Sequence, residues 1–91
     1  MLQAMTTPIE HLRNLGPKTG RLLRDVGVAT IEDLRKIGPV EAYYRLKSLS
    51  PPKVSLNALW AMQAGLLDMH WQQLPAEIKS ELCLALEKKS L

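Results

Sequence analysis

The residues best suited to chemistry lie in one short stretch of the chain, between Gly16 and Arg24. Gly16-Pro17 is typical of a junction between two helices, because proline is favourable at the first position of a helix. The first amides of a helix have no partner within it, and the helix dipole adds partial positive charge there, so this junction favours an anion. Nearby basic side chains would extend the site to one or two phosphates of a nucleic-acid backbone. The residues predicted to contact phosphate are Gly16, Lys18, Thr19, Arg21 and Arg24.

The same stretch has a plainer interpretation, in which the turn is only a compact connector between helices. Basic side chains are mostly exposed in any protein, so Lys18, Arg21 and Arg24 would then form an ordinary solvated surface. The sequence leaves both interpretations open.

No pattern in the sequence points to catalysis or to a metal. His11 and His70 have no partners at a spacing that forms a metal site or a nucleophilic dyad, so both are interpreted as surface or capping residues. Cys83 is the single cysteine and has no neighbouring histidine or basic cluster that would activate its thiol. We therefore predict no catalytic, metal-binding or cofactor-binding residues, and no enzyme activity.

The aromatic residues offer a weaker hypothesis of contact with nucleic-acid bases. Trp60, Trp71, Tyr43 and Tyr44 are the four aromatic residues of the chain. Aromatic rings can stack on bases, but Trp60 falls in the most apolar segment and is interpreted as part of the core. Trp71 follows a predicted helix end and is interpreted as a clamp at that junction.

Composition and charge are those of an ordinary globular protein. Of the 91 residues, 46% are hydrophobic and 23% are charged, and the formal net charge is +3. Residues 1–47 contain eight of the twelve basic residues against five acidic ones, whereas the remainder contains four of each. We predict one domain over residues 1–91 with an ordered core at about 7–87. The basic excess lies in the half that contains the predicted phosphate site.

The N-terminus and the lone cysteine favour a cytoplasmic location. The first seven residues lack the basic region and apolar run of a signal peptide. No stretch approaches the roughly 18 apolar residues that a membrane span requires, so no membrane partner is expected. A single cysteine cannot form an internal disulfide, which is consistent with a reducing compartment.

Capping residues and apolar spacing predict an all-α bundle of about five short helices. Thr7-Pro8 with Glu10 is interpreted as a capping box that opens a short helical segment over about 8–14. Pro17 begins a helix over about 17–26, which Gly27 ends in a left-handed conformation. Thr30 and Asp33 form a second capping box.

The second half continues the helical pattern. Gly38-Pro39 separates the segment that follows Thr30 from a helix over about 39–47. Ser55 caps a helix over about 56–69 that is apolar nearly all round and is therefore predicted to lie centrally. Pro75 begins the last helix.

The hairpin stretch resembles a helix-hairpin-helix motif, whose hairpin often reads Leu-Pro-Gly-Ile-Gly-Pro-Lys-Thr-Ala. Leu12 and Leu15 match the hydrophobic positions, and residues 16–19 match directly. The sequence departs from the motif at Asn14, which replaces the first glycine, and at Gly20, which replaces the alanine. Asparagine tolerates a left-handed backbone better than most residues. Gly20 permits close approach of another segment but weakens the helix by about 1 kcal/mol relative to alanine.

The run from Leu12 to Leu86 is similar to the C-terminal domain of the TfoX/Sxy proteins, which regulate natural competence in bacteria. The segments that carry this resemblance are Asn14-Leu15-Gly16-Pro17-Lys18-Thr19, Val26-Gly27-Val28, Thr30, Asp33-Leu34, Gly38-Pro39-Val40, Ser55 to Met62, His70-Trp71 and Leu74-Pro75.

The resemblance implies a small, non-enzymatic helical bundle. In full-length members this domain follows an N-terminal domain, which these 91 residues do not include. Those proteins are positive regulators of competence genes and act with a cyclic-AMP-dependent activator.

Two functional hypotheses follow from the residues and the resemblance together. In the first, the domain takes part in DNA-associated regulation through weak, sequence-independent phosphate contacts. In the second, it is a protein-interaction module that binds a transcription regulator, a TfoX N-terminal-type domain or a second copy of itself.

Overall fold

The computed structural model describes residues 7–49 and 54–89, and these residues form five α-helices and two 3-10 turns. The α-helices are α1 (Pro17–Asp25), α2 (Ile31–Ile37), α3 (Pro39–Leu49), α4 (Leu56–Leu66) and α5 (Ala76–Lys89). The 3-10 turns are Ile9–His11 and Trp71–Gln73. Within the described ranges, the extended pairing is limited to an isolated bridge between Pro8 and Thr30. The prediction of a small all-α bundle is confirmed.

Two helices begin with the side-chain caps that the sequence predicts. The Asp33 amide donates to Thr30 Oγ1 over 3.0 Å, and the Thr30 amide donates to Asp33 Oδ2 over 3.2 Å, which completes the capping box of α2. At α4, the Asn57 amide donates to Ser55 Oγ over 3.3 Å. Both caps supply acceptors to amides that the helix itself leaves unpaired.

Three helices end in a residue with positive φ, and one of these is Gly38 after α2, with φ of 86°. Gly27 follows α1 with φ of 91°, and the Val28 amide donates to the Leu23 carbonyl over 2.8 Å, as in a Schellman motif. Asp68 takes the equivalent position after α4 with φ of 57°. Because this turn closes after Leu66, α4 is three residues shorter than predicted.

The predicted helix over about 8–14 and its Thr7–Glu10 capping box are wrong. Only the 3-10 turn Ile9–His11 forms in this segment, and no side chain caps it. The chain that enters the turn pairs with the residues before α2 instead: the Ile9 amide donates to the Ala29 carbonyl, and the Ile31 amide donates to the Thr7 carbonyl. These backbone hydrogen bonds hold Thr7 and Pro8 in an extended conformation, so a helix cannot begin there.

The core joins the first 3-10 turn to four of the α-helices. Leu59 and Met62 of α4 are fully buried, which agrees with the central position predicted for this helix. By contrast, α5 has no fully buried residue, and its Leu82 and Leu86 pack only partly buried against the core. The largest fully buried side chains are Ile9, Leu23, Val28, Leu34, Leu46, Leu59 and Met62.

One glycine lets α4 approach the hairpin closely. A Cβ atom at Gly65 would lie 2.5 Å from the Arg13 carbonyl oxygen and 2.8 Å from Leu12 Cγ. The first of these is a backbone atom, so a side chain could be accommodated only by moving the hairpin. This contact fixes the segment that leads into α1.

Candidate nucleic-acid interface

The start of α1 presents amides that no side chain of the protein caps. Gly16 is the N-cap residue, with an extended backbone at φ of −102° and ψ of 178°, and it has no side chain to serve as an acceptor. Pro17 has no amide hydrogen, so the Lys18 and Thr19 amides are the donors of the first turn. Gly16, Pro17 and Lys18 are exposed, and Thr19 is half-buried. The helix start therefore faces outward, as the phosphate hypothesis requires.

Two of the three predicted cations are available beside this helix start. Lys18 and Arg21 are exposed, and neither has an ion-pair partner among the described residues. No acidic residue lies in the first turn of α1. The local charge is therefore positive and uncompensated on this side of the helix.

Arg24, the third predicted cation, is paired within the protein. Its Nε and Nη2 atoms each donate to a carboxylate oxygen of Glu10 over 2.7 Å, which gives a bidentate ion pair. Together with a backbone hydrogen bond, the Arg24 guanidinium lowers the pKa of the Glu10 carboxyl from 4.5 to about 2. Arg24 therefore differs from Lys18 and Arg21, because its charge is already paired within the protein.

The Glu10–Arg24 pair also accounts for glycine at position 20. Gly20 is buried, and a Cβ atom there would lie 2.5 Å from Glu10 Cγ. The Glu10 side chain crosses the surface of α1 over Gly20 to reach Arg24 one turn later. The sequence pattern predicts a helix-capping role for Glu10 and does not reveal this pair. The opposite charges themselves were a visible signal, but only the turn at 9–11 brings them together.

Asn14 anchors the hairpin in the left-handed conformation that was expected of it. Its φ is 77°. Its Nδ2 atom donates to the Met69 carbonyl over 2.9 Å, and the Trp71 amide donates to its Oδ1 atom over 3.3 Å. The amide side chain thus joins the hairpin to the segment between α4 and the second 3-10 turn. The sequence indicated the backbone conformation of Asn14 but not this tether.

A second contact supports the same junction. Arg13 Nη1 donates to the Asp68 carbonyl over 2.9 Å, and it lies 3.6 Å from Asp68 Oδ1. Both side chains are well exposed, so the contribution of the ion pair to stability is small. Its role is to add a second point of attachment for the turn that precedes α1.

A cleft of about 310 Å³ lies beside the start of α1. Thr19 and Leu22 of α1 line one side, and Asn57 and Ala58 of α4 line another. Trp71 also lines the cleft. Sequence reasoning missed this cleft, because its walls come from segments that lie far apart in the chain.

The other residues considered for chemistry have ordinary structural roles. His11 is exposed, and His70 is a cap whose Nδ1 atom accepts the Gln72 amide over 3.1 Å. Trp60 is half-buried beneath Lys79, whose Nζ atom lies 5.5 Å from the ring centroid. Across residues 7–49 and 54–89, no three histidine, cysteine or acidic residues are grouped as a metal site would require. None of the described helices is long and apolar enough to cross a membrane.

The fold and the site define a small all-α domain with a helix-hairpin-helix-like element, in which a 3-10 turn replaces the first helix. The family model described as the TfoX C-terminal domain matches residues 5–86, so the chain belongs to this family. The family consists of regulatory-type, non-catalytic domains. No curated protein and no solved structure shows significant similarity to the chain.

Proposed function

We propose that this domain is a regulatory module of bacterial competence genes that works in the cytoplasm and contacts DNA through its phosphate backbone. The contacts are weak and independent of base sequence, because helix amides and lysine or arginine side chains recognise phosphate and not base edges. The module takes no part in catalysis.

One observation carries this proposal: the uncapped start of α1 is exposed next to two unpaired cations. No side chain caps the Lys18 and Thr19 amides, and the exposed Lys18 and Arg21 add positive charge on the same helix. Helix starts of this kind bind anions because unpaired N–H groups and the helix dipole act together. A DNA phosphate meets both requirements of the site, since it accepts hydrogen bonds and is negatively charged.

The proposed contact involves few phosphates, so affinity for DNA is low. Arg24 contributes only when a phosphate displaces the Glu10 carboxylate, because the two side chains form a bidentate pair. Lys18 and Arg21 therefore provide most of the charge. A second attachment, through a partner or a second copy, would raise the effective affinity without any new contact to DNA.

The proposal is tested by titrating a labelled duplex with the protein at a series of salt concentrations. We expect binding at low salt that weakens steeply as salt rises, since bound cations release counterions from DNA. Lys18→Glu and Arg21→Glu should each weaken binding several-fold and reduce the slope of log affinity against log salt by about 1.

Lys88→Glu provides the matched control. This lysine is exposed near the end of α5, so the substitution changes the net charge equally without altering the start of α1. Equal loss of binding in Lys88→Glu and Lys18→Glu would indicate a general effect of net charge. Absence of binding at low salt would contradict the proposal.

A second candidate function, protein interaction, is favoured by apolar side chains exposed on α3. Leu49 is 50% exposed and Tyr44 is 39% exposed. Both line an open groove of about 540 Å³ that also includes Val26. The polar Glu41, Arg45 and Ser48 line the same groove, and exposed apolar surface bordered by polar residues is typical of protein contacts. The partner would be a transcription regulator, a TfoX N-terminal-type domain or a second copy of this chain.

Sedimentation velocity over a range of protein concentrations tests the version with a second copy. A sedimentation coefficient that rises with concentration in the natural protein, but not in Leu49→Ser, would support self-association through this groove. Titration with a purified TfoX N-terminal domain tests the version with a separate partner. The same Leu49→Ser variant should then lose binding, and unchanged binding would exclude the groove as the contact.

A further inference from the structure

The cleft between α1, α4 and Trp71 has a chemical character that differs from the surface around it. None of its lining residues is charged. Its volume of about 310 Å³ is at the small end of the range for ligand sites, roughly 300–1,000 Å³. A small, uncharged group is therefore the occupant that the cleft can hold.

Two polar side chains in the cleft are available to such a group. Thr19 and Asn57 line the cleft, and neither side chain has a hydrogen-bond partner among the described residues. Asn14 also lines the cleft, but its amide is already bonded to Met69 and Trp71. The cleft thus has one such polar residue on the α1 side, next to the apolar Leu22, and one on the α4 side, next to the apolar Ala58.

Trp71 gives the cleft an aromatic wall. It is half-buried, and its ring stacks on His70 with centroids 6.0 Å apart and an interplanar angle of 26°. Its amide donates to Asn14 Oδ1 over 3.3 Å, which holds its backbone beside the cleft. A planar group in the cleft would meet an aromatic surface that is already positioned.

The cleft and the proposed phosphate site share a residue. Thr19 lines the cleft and belongs to the first turn of α1, where its amide is a donor. An uncharged, hydrogen-bonding, aromatic-walled cleft therefore adjoins a helix start with a free lysine. An uncharged cleft next to a cationic helix start matches a nucleotide, in which an uncharged base lies next to a negatively charged phosphate.

We propose that the cleft receives one unpaired base of single-stranded DNA, while the adjoining phosphate contacts the start of α1. This inference rests on the proposed function, because the phosphate contact is the same. A base within a duplex is held in the stack and cannot enter the cleft, so the inference adds a preference for single strands. The Thr19 and Asn57 side chains would bond to the base edge, and Trp71 would contact its face.

Binding titrations with three labelled nucleic acids of equal length test base binding in the cleft separately from phosphate binding at α1. The nucleic acids are a single strand, the same single strand with abasic sites in place of its bases, and a duplex. We expect the single strand to bind about fivefold or more tightly than the abasic strand, since stacking of one base on an aromatic side chain supplies an effect of that size. All three should bind more weakly as salt rises.

A variant that fills the cleft tests the location of the effect. Ala58→Leu adds a larger side chain to the wall of the cleft, and Ala85→Leu makes the same change at an exposed position of α5. We expect Ala58→Leu to remove the preference for the single strand over the abasic strand, and Ala85→Leu to retain it. Circular dichroism and thermal unfolding verify that both variants fold. Asn57→Ala, which removes a side chain without structural partners, should reduce the preference if Ala58→Leu does not fold.

The outcomes distinguish failure of the inference from failure of the proposed function. Equal, salt-sensitive binding of the single strand and the abasic strand would overturn the base-binding cleft and leave the phosphate contact intact. A preference unchanged by Ala58→Leu and Asn57→Ala would also overturn it, because the bases would then be contacted outside the cleft. Failure of all three nucleic acids to bind would overturn both proposals.

Discussion

The starts of α1 and α2 are built from opposite chemistry, although the two helices are close neighbours in sequence. At α2, Thr30 and Asp33 cap each other's backbone amides, and the Asp33 carboxylate also accepts the Ala29 amide. At α1, the N-cap residue is Gly16, which has no side chain, so no side chain caps the amides of the first turn. One helix start is closed by the protein itself, and the other is open.

The charges strengthen this difference. The first turn of α2 contains Glu32 and Asp33, and hydrogen bonds from the Ala29 and Thr30 backbone and from the Thr30 side chain lower the pKa of Asp33 below its ordinary value. The α2 start is therefore anionic and repels phosphate, whereas the first turn of α1 has Lys18 and no acid. A helix start favours an anion when its first amides have no acceptor within the protein and the nearby side chains are not acidic. Of these two helices, only α1 meets both conditions.

Asn14→Ala should produce the largest loss of stability among these variants, because it removes the hydrogen bonds that hold the turn before α1. Alanine at a left-handed φ costs about 1–2 kcal/mol. Loss of the hydrogen bonds to Met69 and Trp71 adds about 1 kcal/mol for each. We expect the free energy of unfolding, measured by urea denaturation, to fall by about 2–4 kcal/mol.

Asn14→Gly is the control for this prediction. Glycine adopts the positive φ without strain, so only the cost of the lost hydrogen bonds remains. The loss of stability should be about half that of Asn14→Ala. Equal losses in the two variants would show that the backbone conformation is unimportant.

Thr30→Ala removes one half of the capping box of α2 and should lower the free energy of unfolding by about 1 kcal/mol. The Asp33 amide loses its acceptor, and thermal unfolding should shift to lower temperature. DNA binding should not increase, because Glu32 and Asp33 keep the helix start anionic. A gain of DNA affinity in this variant would mean that free amides bind phosphate even where the neighbouring charges are negative, so the contrast between the two helix starts would not depend on charge.

The Glu10–Arg24 pair should make stability depend on pH in acid. The pKa of Glu10 is about 2 in the folded protein and near its ordinary value of 4.5 in the unfolded chain. Because the folded pKa is depressed, the pair stabilises the protein above pH 4.5, and this contribution is lost as pH falls towards 2. The effect is modest, since both side chains are partly exposed to solvent.

Glu10→Gln isolates this contribution. Urea denaturation at a series of pH values should show a smaller decrease in stability between pH 4.5 and 2 in the variant than in the natural protein. The variant also releases Arg24, so its affinity for DNA should rise. An unchanged pH profile would show that the pair contributes nothing to folding.

Local chemistry made much of the fold predictable from the sequence. The caps at Thr30 and Ser55 and the stop at Gly27 depend on residues within a few positions of each other, and each forms as expected. The segment around Glu10 was misjudged because its backbone hydrogen bonds go to residues 29–31, which the local sequence does not reveal. In this segment, backbone pairing with residues 29–31 forms in place of the predicted Thr7–Glu10 capping box.

The candidate site was predictable only in part, for the same reason. The open start of α1 follows from Gly16-Pro17 and from the absence of acids nearby. The capture of Arg24 by Glu10, the tether from Asn14 and the cleft beside Trp71 all depend on which segments the fold brings together. Spacing along the chain carries no information about these contacts.

Gly16→Asp tests the central claim most directly, because it gives α1 the kind of cap that α2 already has. The backbone of Gly16 is extended, and a Cβ atom there would meet nothing within 4 Å, so the side chain is tolerated. An aspartate cap should raise stability by a few tenths of a kcal/mol, the smallest change expected among these variants. Its carboxylate would occupy the amides and introduce negative charge at the proposed phosphate site.

The decisive measurement is the affinity of Gly16→Asp for duplex DNA at low salt, compared with that of the natural protein. We expect a loss of affinity of at least about tenfold, equivalent to about 1.4 kcal/mol, in a protein that is slightly more stable than before. Undiminished binding in a folded Gly16→Asp variant would contradict the claim that the start of α1 receives the phosphate.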